Sequence, residues 1–389
     1  MSLESQVTYD FLAKTISGLE NVLADELTEL GAAEVRTLKR AASFKGDLRL
    51  LYKVNYCCRT ALRILVPVLS FEVKEQKDFY DRVHEYPWED LIDPSGTLAV
   101  DAVISFTVFT NSQYVSQNAK DAIVDRLREK FGTRPSVNLD DPDLRVNVHL
   151  YKNLCTVSLD SSGSTLNRRG YRKITGPAPI NEVLAAGLLK LTGWDGKVPL
   201  LDPMCGSATF LIEAAMSAGN IPSGILRDRY GFMKWKDFDA ELWRSVKEGE
   251  EGKIVTSPTA ITGFDRSGRA IAAARENIGA AGLARVIQVK EISFEDSGPP
   301  FNGGIILMNP PYDERLKLDD NIAFYKMIGN VLKRNYTGFK AWIISADLEA
   351  IKFIGLKPSK KLTVFNGPLE CRFHCFDLYE GKKVFNNHP

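Results

Sequence analysis

The sequence predicts an α/β protein: an N-terminal α+β region, then a Rossmann-like, mostly parallel sheet ending in an antiparallel β-hairpin. Three observations carry this. Between residues 182 and 345 short apolar strands alternate with amphipathic helices. Leu201-Asp202-Pro203-Met204-Cys205-Gly206 turns from one such strand straight into a helix. Residues 362–365 and 372–379 alternate on either side of Gly367-Pro368, as the arms of a hairpin do.

Length and composition set the frame. At 389 residues the chain suits two or three domains, and 44% hydrophobic with 25% charged residues is ordinary for a globular protein. No apolar run approaches the roughly 20 residues that span a membrane, and residues 1–6 are too polar for a signal peptide. The six cysteines are scattered, as expected of reduced thiols in a cytoplasmic protein. Cys371, His374 and Cys375 are close together but have no second ligand pair, so they read as strand side chains and no metal is expected. A net charge of +1 argues against a global polyanion-binding field and leaves room for a local basic face.

In the N-terminal half, residues 11–31 carry a helical pattern, with Leu19, Val22, Leu23, Leu27 and Leu30 on one face and Gly31 as the stop. Residues 35–39 alternate as a strand, and 48–55 and 63–69 continue an α/β pattern. Residues 98–109 read as a strand or bent pair, 116–131 as a helix, and 144–150 with 154–159 as a hairpin. Expected boundaries are 1–65 for one α+β segment, 66–160 for a second, and 161–178 for a basic linker. The linker starts at Ser161-Ser162-Gly163-Ser164 and becomes rich in Arg, Gly and Pro.

Residues 179–389 are the expected sheet domain. Helices are predicted over 182–191, 206–218, 267–280 and 322–332, and strands over 198–201, 260–264, 286–289, 305–308 and 341–345. Residues 219–257 interrupt this alternation and read as a helical insertion near the substrate mouth. Its Tyr230, Phe232, Trp235, Phe238 and Trp243 suit packing better than base stacking.

The turn after residue 201 has the form of a cofactor loop. Gly206, with small Ser207 and Ala208, lets backbone approach a ligand at a helix start, and Thr209 follows in the same candidate cofactor site. Asp202 at the strand end would repel a pyrophosphate but suits a cation, such as the amino-acid end of S-adenosyl-L-methionine. Pro203, Met204 and Cys205 complete the candidate loop. Asp265, ending the next strand beside Arg266, is placed to accept hydrogen bonds from ribose hydroxyls. Its distance from the first loop far exceeds the usual roughly 20 residues, which marks the insertion. Glu291-Ile292 follows the third strand; Glu291 either meets the adenine amino group or is a plain surface acid.

Asn309-Pro310-Pro311-Tyr312 follows the apolar strand 304–308. The exocyclic amine of a base is a poor nucleophile because its lone pair is delocalised into the ring. The Asn309 side-chain oxygen and the Pro310 carbonyl, both acceptors aimed at such an amine, would localise that pair. The prolines fix the backbone, and Tyr312 offers a ring for a base taken out of its helix. Arg315 is placed to touch substrate phosphate or to pair with Glu314. Arg168, Arg169, Tyr171, Arg172 and Lys173 form the densest basic cluster and are candidate RNA contacts; a solvated linker with locally paired cations is the alternative.

Segments 202–210 and 309–315 together resemble the amino-methylating class I methyltransferases. Leu159-Asp160-Ser161-Ser162-Gly163, Arg168-Arg169-Gly170-Tyr171-Arg172 and Ala178-Pro179-Ile180-Asn181-Glu182 sharpen this. They are similar to the RlmL-type 23S rRNA guanine-N2 methyltransferases, a resemblance that covers nearly the whole chain. It includes Lys120-Asp121-Ala122-Ile123-Val124-Asp125 and Arg134-Pro135-Ser136-Val137. The resemblance implies a ferredoxin-like segment and an RNA-binding THUMP domain before the methyltransferase domain. It implies S-adenosyl-L-methionine as donor, and as acceptor a guanine N2 in 23S rRNA or a large-subunit precursor. It also implies that Ala178 to Glu182, with Pro179 and Glu182 as cofactor contacts, helps frame the cofactor pocket. No membrane or obligate protein partner is expected, and the chain stops short of the second methyltransferase domain of some relatives, so one activity is expected. The chain departs from the family at Ala208, where Gly is usual, and at Asp313, where Gly follows the tetrapeptide. A helix-start backbone with negative φ would accept the alanine. Rival readings are a DNA adenine-N6 methyltransferase, a tRNA guanine-N2 methyltransferase, or a catalytically silent RNA-binding assembly factor.

Overall fold

The computed structural model describes residues 7–176, 179–256, 259–311 and 318–379. The chain forms two compact units, and the described residues of the first are 7–15, 23–166 and 227–252. In chain order it holds β1 (Tyr9–Lys14), α1 (Glu20–Glu29), β2 (Ala33–Leu38), β3 (Ala41–Gly46), α2 (Leu48–Cys57) and β4 (Arg63–Glu72). Then follow α3 (Gln76–Glu85), β5 (Thr97–Ser105), α4 (Ser112–Phe131), β6 (Ser136–Val137), β7 (Leu144–Tyr151) and β8 (Leu154–Asp160). These strands make one sheet in the order β2-β3-β1-β4-β8-β7-β5-β6.

One expectation is corrected here. Residues 11–14 belong to a strand, with Phe11 and Ala13 buried on alternate positions, and α1 starts only at Glu20. Gly18 at φ +92° breaks the chain between them. The expected boundary at 65/66 falls inside β4, which pairs with β1 on one side and β8 on the other. The sheet is therefore continuous across both α+β segments. The start of the expected linker is also part of this unit. Ser161 and Ser162 are fully buried, and their hydroxyls bond the Asn55 side chain at 2.9 and 2.8 Å.

The second unit opens with α5 (Glu182–Thr192), β9 (Leu200–Asp202) and α6 (Thr209–Ala218). The insertion then leaves it. Residues 227–252, with a short 3-10 turn and α7 (Ala240–Glu251), group with the first unit. Tyr230, Phe232 and Trp243 are buried there in one core with Tyr52 and Tyr56. The Tyr52 and Phe232 rings stack at 4.5 Å, and Trp243 lies edge-on to Tyr56 at 5.4 Å. These aromatics pack, as expected, and the insertion contributes to the first unit's core.

The chain returns through β10 (Ile261–Asp265), α8 (Gly268–Ala280), β11 (Ile287–Glu291), β12 (Gly304–Met308) and α9 (Leu318–Asn335). It ends with β13 (Phe339–Ser345), β14 (Lys360–Asn366) and β15 (Leu369–Asp377). The sheet order is β11-β10-β9-β12-β13-β15-β14. The first five strands are parallel, and β15 runs antiparallel to both β13 and β14. From β9 the winding goes out to β11, then crosses back to β12. The switch point lies between β9 and β12, where doubly wound sheets bind ligands at strand carboxyl ends.

Candidate active site

The parallel register lines up the candidates. Gly263 lies opposite Asp202, Asp265 opposite Glu291, and Ile306 opposite Leu201. Asp202, Asp265, Glu291 and Asn309 thus stand at the carboxyl ends of four adjacent strands, at the switch point. Asn309 is half-buried, Pro310 buried and Pro311 exposed. Tyr312, Asp313 and Arg315 lie outside the described residues, as does Ala178.

Asp202 is 2% exposed, and its carboxylate accepts Met204 N–H at 3.1 Å. Burial pushes its pKa well up, the Met204 N–H opposes this, and the nearby Asp265 charge adds to it. Such a buried acid stabilises a cation that comes to it. Asp265 accepts Gly206 N–H at 3.0 Å and Ser267 N–H at 2.9 Å, which fixes the loop beside it. Ile292 N–H donates to the Asp265 carbonyl at 3.0 Å, while Arg266 is exposed. A Cβ built on Gly268 would come within 2.9 Å of the Glu291 carboxylate, so Glu291 lies against the first residue of α8. That is a favoured place for an anion.

The loop fits a ligand of the S-adenosylmethionine kind on two counts. Gly206 has φ +52°, and a Cβ there would meet nothing within 4 Å, so the backbone borders open space. Asp202 supplies a desolvated carboxylate for an ammonium group. Cys205 is buried beside both acids, and burial pushes its thiol well up, which makes it inert as a nucleophile. Ala208 is corrected: it is fully buried at φ +70°, not at negative φ. The alanine therefore holds a left-handed conformation at the entry to α6, which costs about 1 kcal/mol or more.

The basic run folds inward. Glu213 of α6 is fully buried, and Arg169, 2% exposed, places Nε 3.5 Å from its Oε1. Tyr171, also buried, donates its hydroxyl to the same oxygen at 3.0 Å. Burial, then the Glu213 charge, holds the Tyr171 phenol far above its ordinary range, so it remains a donor. Arg169 and Tyr171 are therefore corrected from RNA contacts to interior partners of a buried acid, which needs them. Arg172 is half-buried and fully engaged. It donates to Glu182 Oε1 at 2.6 Å, the Ile180 carbonyl at 3.0 Å, Thr209 Oγ1 at 3.0 Å and Ser207 Oγ at 3.3 Å. This guanidinium ties the start of α5 to the cofactor loop. Arg168 and Lys173 are exposed, and Pro179 is exposed next to buried Ile180.

Asn277 of α8 was not singled out from the sequence. Fully buried, it accepts Lys173 N–H at 2.8 Å and donates to the carbonyls of Ile174 and Ser207 at 2.9 and 3.1 Å. Glu213 was missed too, although a lone acid among Thr209-Phe210-Leu211-Ile212 and Ala214-Ala215-Met216 signals a buried charge in need of a partner.

Comparison with known proteins identifies the family of this chain. The model of the methyltransferase domain described as RMKL-like matches residues 169–374. A THUMP domain matches 73–160, and the RlmL ferredoxin-like domain matches 10–65. The Synechocystis sp. protein slr0064, named provisionally as an RNA methyltransferase, is 36% identical over 377 residues, 96% of this chain and 98% of its own length. The ribosomal RNA large subunit methyltransferase K/L of Methylococcus capsulatus is 39% identical over 381 residues, 96% of this chain but 52% of its own. The chain thus spans about half the length of the K/L relatives it matches. Among solved structures, SMU.472, assigned as a methyltransferase and complexed with SAH, superposes with a TM-score of 0.87 at 28% identity, covering 97% of this chain and all of its own. A Listeria monocytogenes protein named, by prediction, as an N6-adenine-specific DNA methylase gives 0.86 at 26%, covering 96% and 97%.

Proposed function

We propose that this chain, which belongs to the RMKL-like methyltransferase family, methylates the exocyclic N2 amine of a guanine in large-subunit rRNA. The single observation that carries this reading is the placement of Asn309 and Pro310 at the end of β12, next to β9 and its buried Asp202. The methyl donor is S-adenosylmethionine, which when bound supplies an electrophilic methyl group on a sulfonium. Asp202 would take its ammonium, Asp265 its ribose hydroxyls, and the Gly206 turn its close approach. The Asn309 side-chain oxygen and Pro310 carbonyl would accept hydrogen bonds from the target amine and favour a localised lone pair. Proximity in a fixed geometry supplies much of the remaining effect. Tyr312 would stack on the base. The THUMP match and the names of the relatives support RNA as the substrate; Arg168, Lys173 and Arg315 remain proposed phosphate contacts.

Mass-spectrometric mapping of modified nucleosides in rRNA from cells with and without this protein tests the reading. Loss of one N2-methylguanosine supports it. Unchanged large-subunit rRNA, with methyl transfer from the purified protein to duplex DNA, would favour adenine-N6 methylation instead, as the name of the Listeria relative suggests.

A further inference from the structure

The first unit carries an exposed aromatic feature that packing does not account for. Phe106 directly follows β5 and is 85% exposed. Its backbone is left-handed, at φ +53°, an uncommon conformation for a bulky residue. A strained residue whose ring lies in solvent recovers nothing through burial. Ser105, just before it, lies opposite Tyr151 in the parallel β5–β7 pairing, so both rings sit at the same end of the sheet. They meet edge to face, with centroids 6.1 Å apart and planes at 90°. Tyr151 is itself 46% exposed. Lys152, in the turn to β8, holds its ammonium 5.6 Å from the Tyr151 ring centroid, and its N–H donates to the Ser105 carbonyl at 2.9 Å. Two wet rings and one ammonium are thus tied to one pair of strand ends.

Charge narrows the occupant. Glu72 lies opposite Leu154 at this same end, and Lys74, Glu75 and Lys77 follow it in the chain, so acids and bases alternate. A duplex, held mainly through phosphates, wants a positive field that this balance does not give. An unpaired base needs an aromatic face and tolerates a near-neutral surround. We infer that Phe106 and Tyr151 form a stacking platform for an unpaired base of the RNA substrate, with Lys152 beside the neighbouring phosphate. This rests on the reading of the chain as an RNA methyltransferase, and it assigns the platform to residues outside the methylating site.

The test uses the full chain. Fluorescence anisotropy with a fluorescein-labelled mixed-sequence single-stranded RNA and with a blunt duplex of the same sequence compares wild type, Phe106→Ala, Phe106→Trp and Tyr151→Ala. Base–aromatic stacking lost to alanine corresponds to a roughly 5- to 150-fold weakening. Phe106→Ala is expected to fall in that range for single-stranded RNA, with less than about a twofold change for the duplex and an unaltered salt slope, whereas Phe106→Trp binds like wild type. Unchanged single-strand affinity in Phe106→Ala, with its thermal melt also unchanged, overturns the platform. So does equal weakening for both RNAs. Methyl transfer to large-subunit rRNA by the wild type is measured in parallel. If it is present while Phe106→Ala binds normally, the platform alone fails; if wild type neither binds RNA nor methylates it, the RNA reading fails as well.

Discussion

Residues 168–173 and the strand ends around Phe106 offer similar chemistry in opposite settings. The first holds three arginines, a lysine and a tyrosine, and reads as a ready RNA contact. Yet Arg169 and Tyr171 are buried on Glu213, and Arg172 is spent on Glu182, Ser207, Thr209 and the Ile180 carbonyl. The second has two rings and a lysine in an otherwise unremarked loop and turn, and it faces water. Buried acids make the difference: Glu213 holds Arg169 and Tyr171 inward and Glu182 engages Arg172, whereas the Phe106 ring stays in solvent. Composition alone does not tell which way a cationic or aromatic run will face; its partner elsewhere in the chain decides.

The largest effect expected from that comparison is on stability. Arg169→Ala strands a buried carboxylate, and breaking a buried pair from one side costs about 3–5 kcal/mol. Chemical denaturation should show that loss. If Arg169→Ala unfolds like wild type but loses RNA affinity and salt slope, the inward assignment is wrong. Arg172→Ala is expected to act on the cofactor instead, because it releases both Ser207 and Thr209 from α5. Calorimetry should show S-adenosylmethionine binding weakened about tenfold with a smaller effect on the melt, and Arg172→Lys should rescue little, since one ammonium cannot span four acceptors. Unchanged cofactor affinity would remove Arg172 as a positioning residue.

Smaller effects sharpen the account of the loop. The Asp202 carboxyl is raised in the folded chain, so the folded state binds more protons than the unfolded one, and its unfavourable contribution grows as pH rises above the unfolded carboxylate range. Asp202→Asn should therefore raise the cofactor-free melting temperature at neutral pH, by less at acid pH, while abolishing S-adenosylmethionine binding. A lowered melt at neutral pH would contradict the buried-acid account. The smallest change is Ala208→Gly, which relieves a left-handed alanine and should stabilise by about 1 kcal/mol or less, net of the added chain entropy. Destabilisation on thermal melting would mean the methyl group packs usefully.

Much of the second unit is legible in the sequence because its signals are local. The run 304–308 before Asn309-Pro310, Asp202 at a strand end, and Gly367-Pro368 between two alternating segments each need only a few neighbours to be read. What escapes the sequence is long-range. The periodicity of 19, 22, 23, 27 and 30 draws Phe11 into a helix, although pairing with Phe44 and burial of alternate residues make it strand. The continuity of the first sheet through β4 depends on pairing with β8, far along the chain. The insertion's place is set by Tyr52 and Tyr56, which its own sequence does not announce. The sign of φ at Ala208 is likewise fixed by the turn, not by the residue.

The most direct test of the central claim is Asn309→Ala, measured twice on the same preparation. Calorimetry should give an S-adenosylmethionine affinity within about threefold of wild type, since the Asp202 and Gly206 loop is untouched. Transfer of labelled methyl to large-subunit rRNA should fall by about 10²–10³-fold, the usual loss when one preorganised group that stabilises developing charge is removed. Near-full transfer by Asn309→Ala would contradict the assignment of the chemistry to the end of β12.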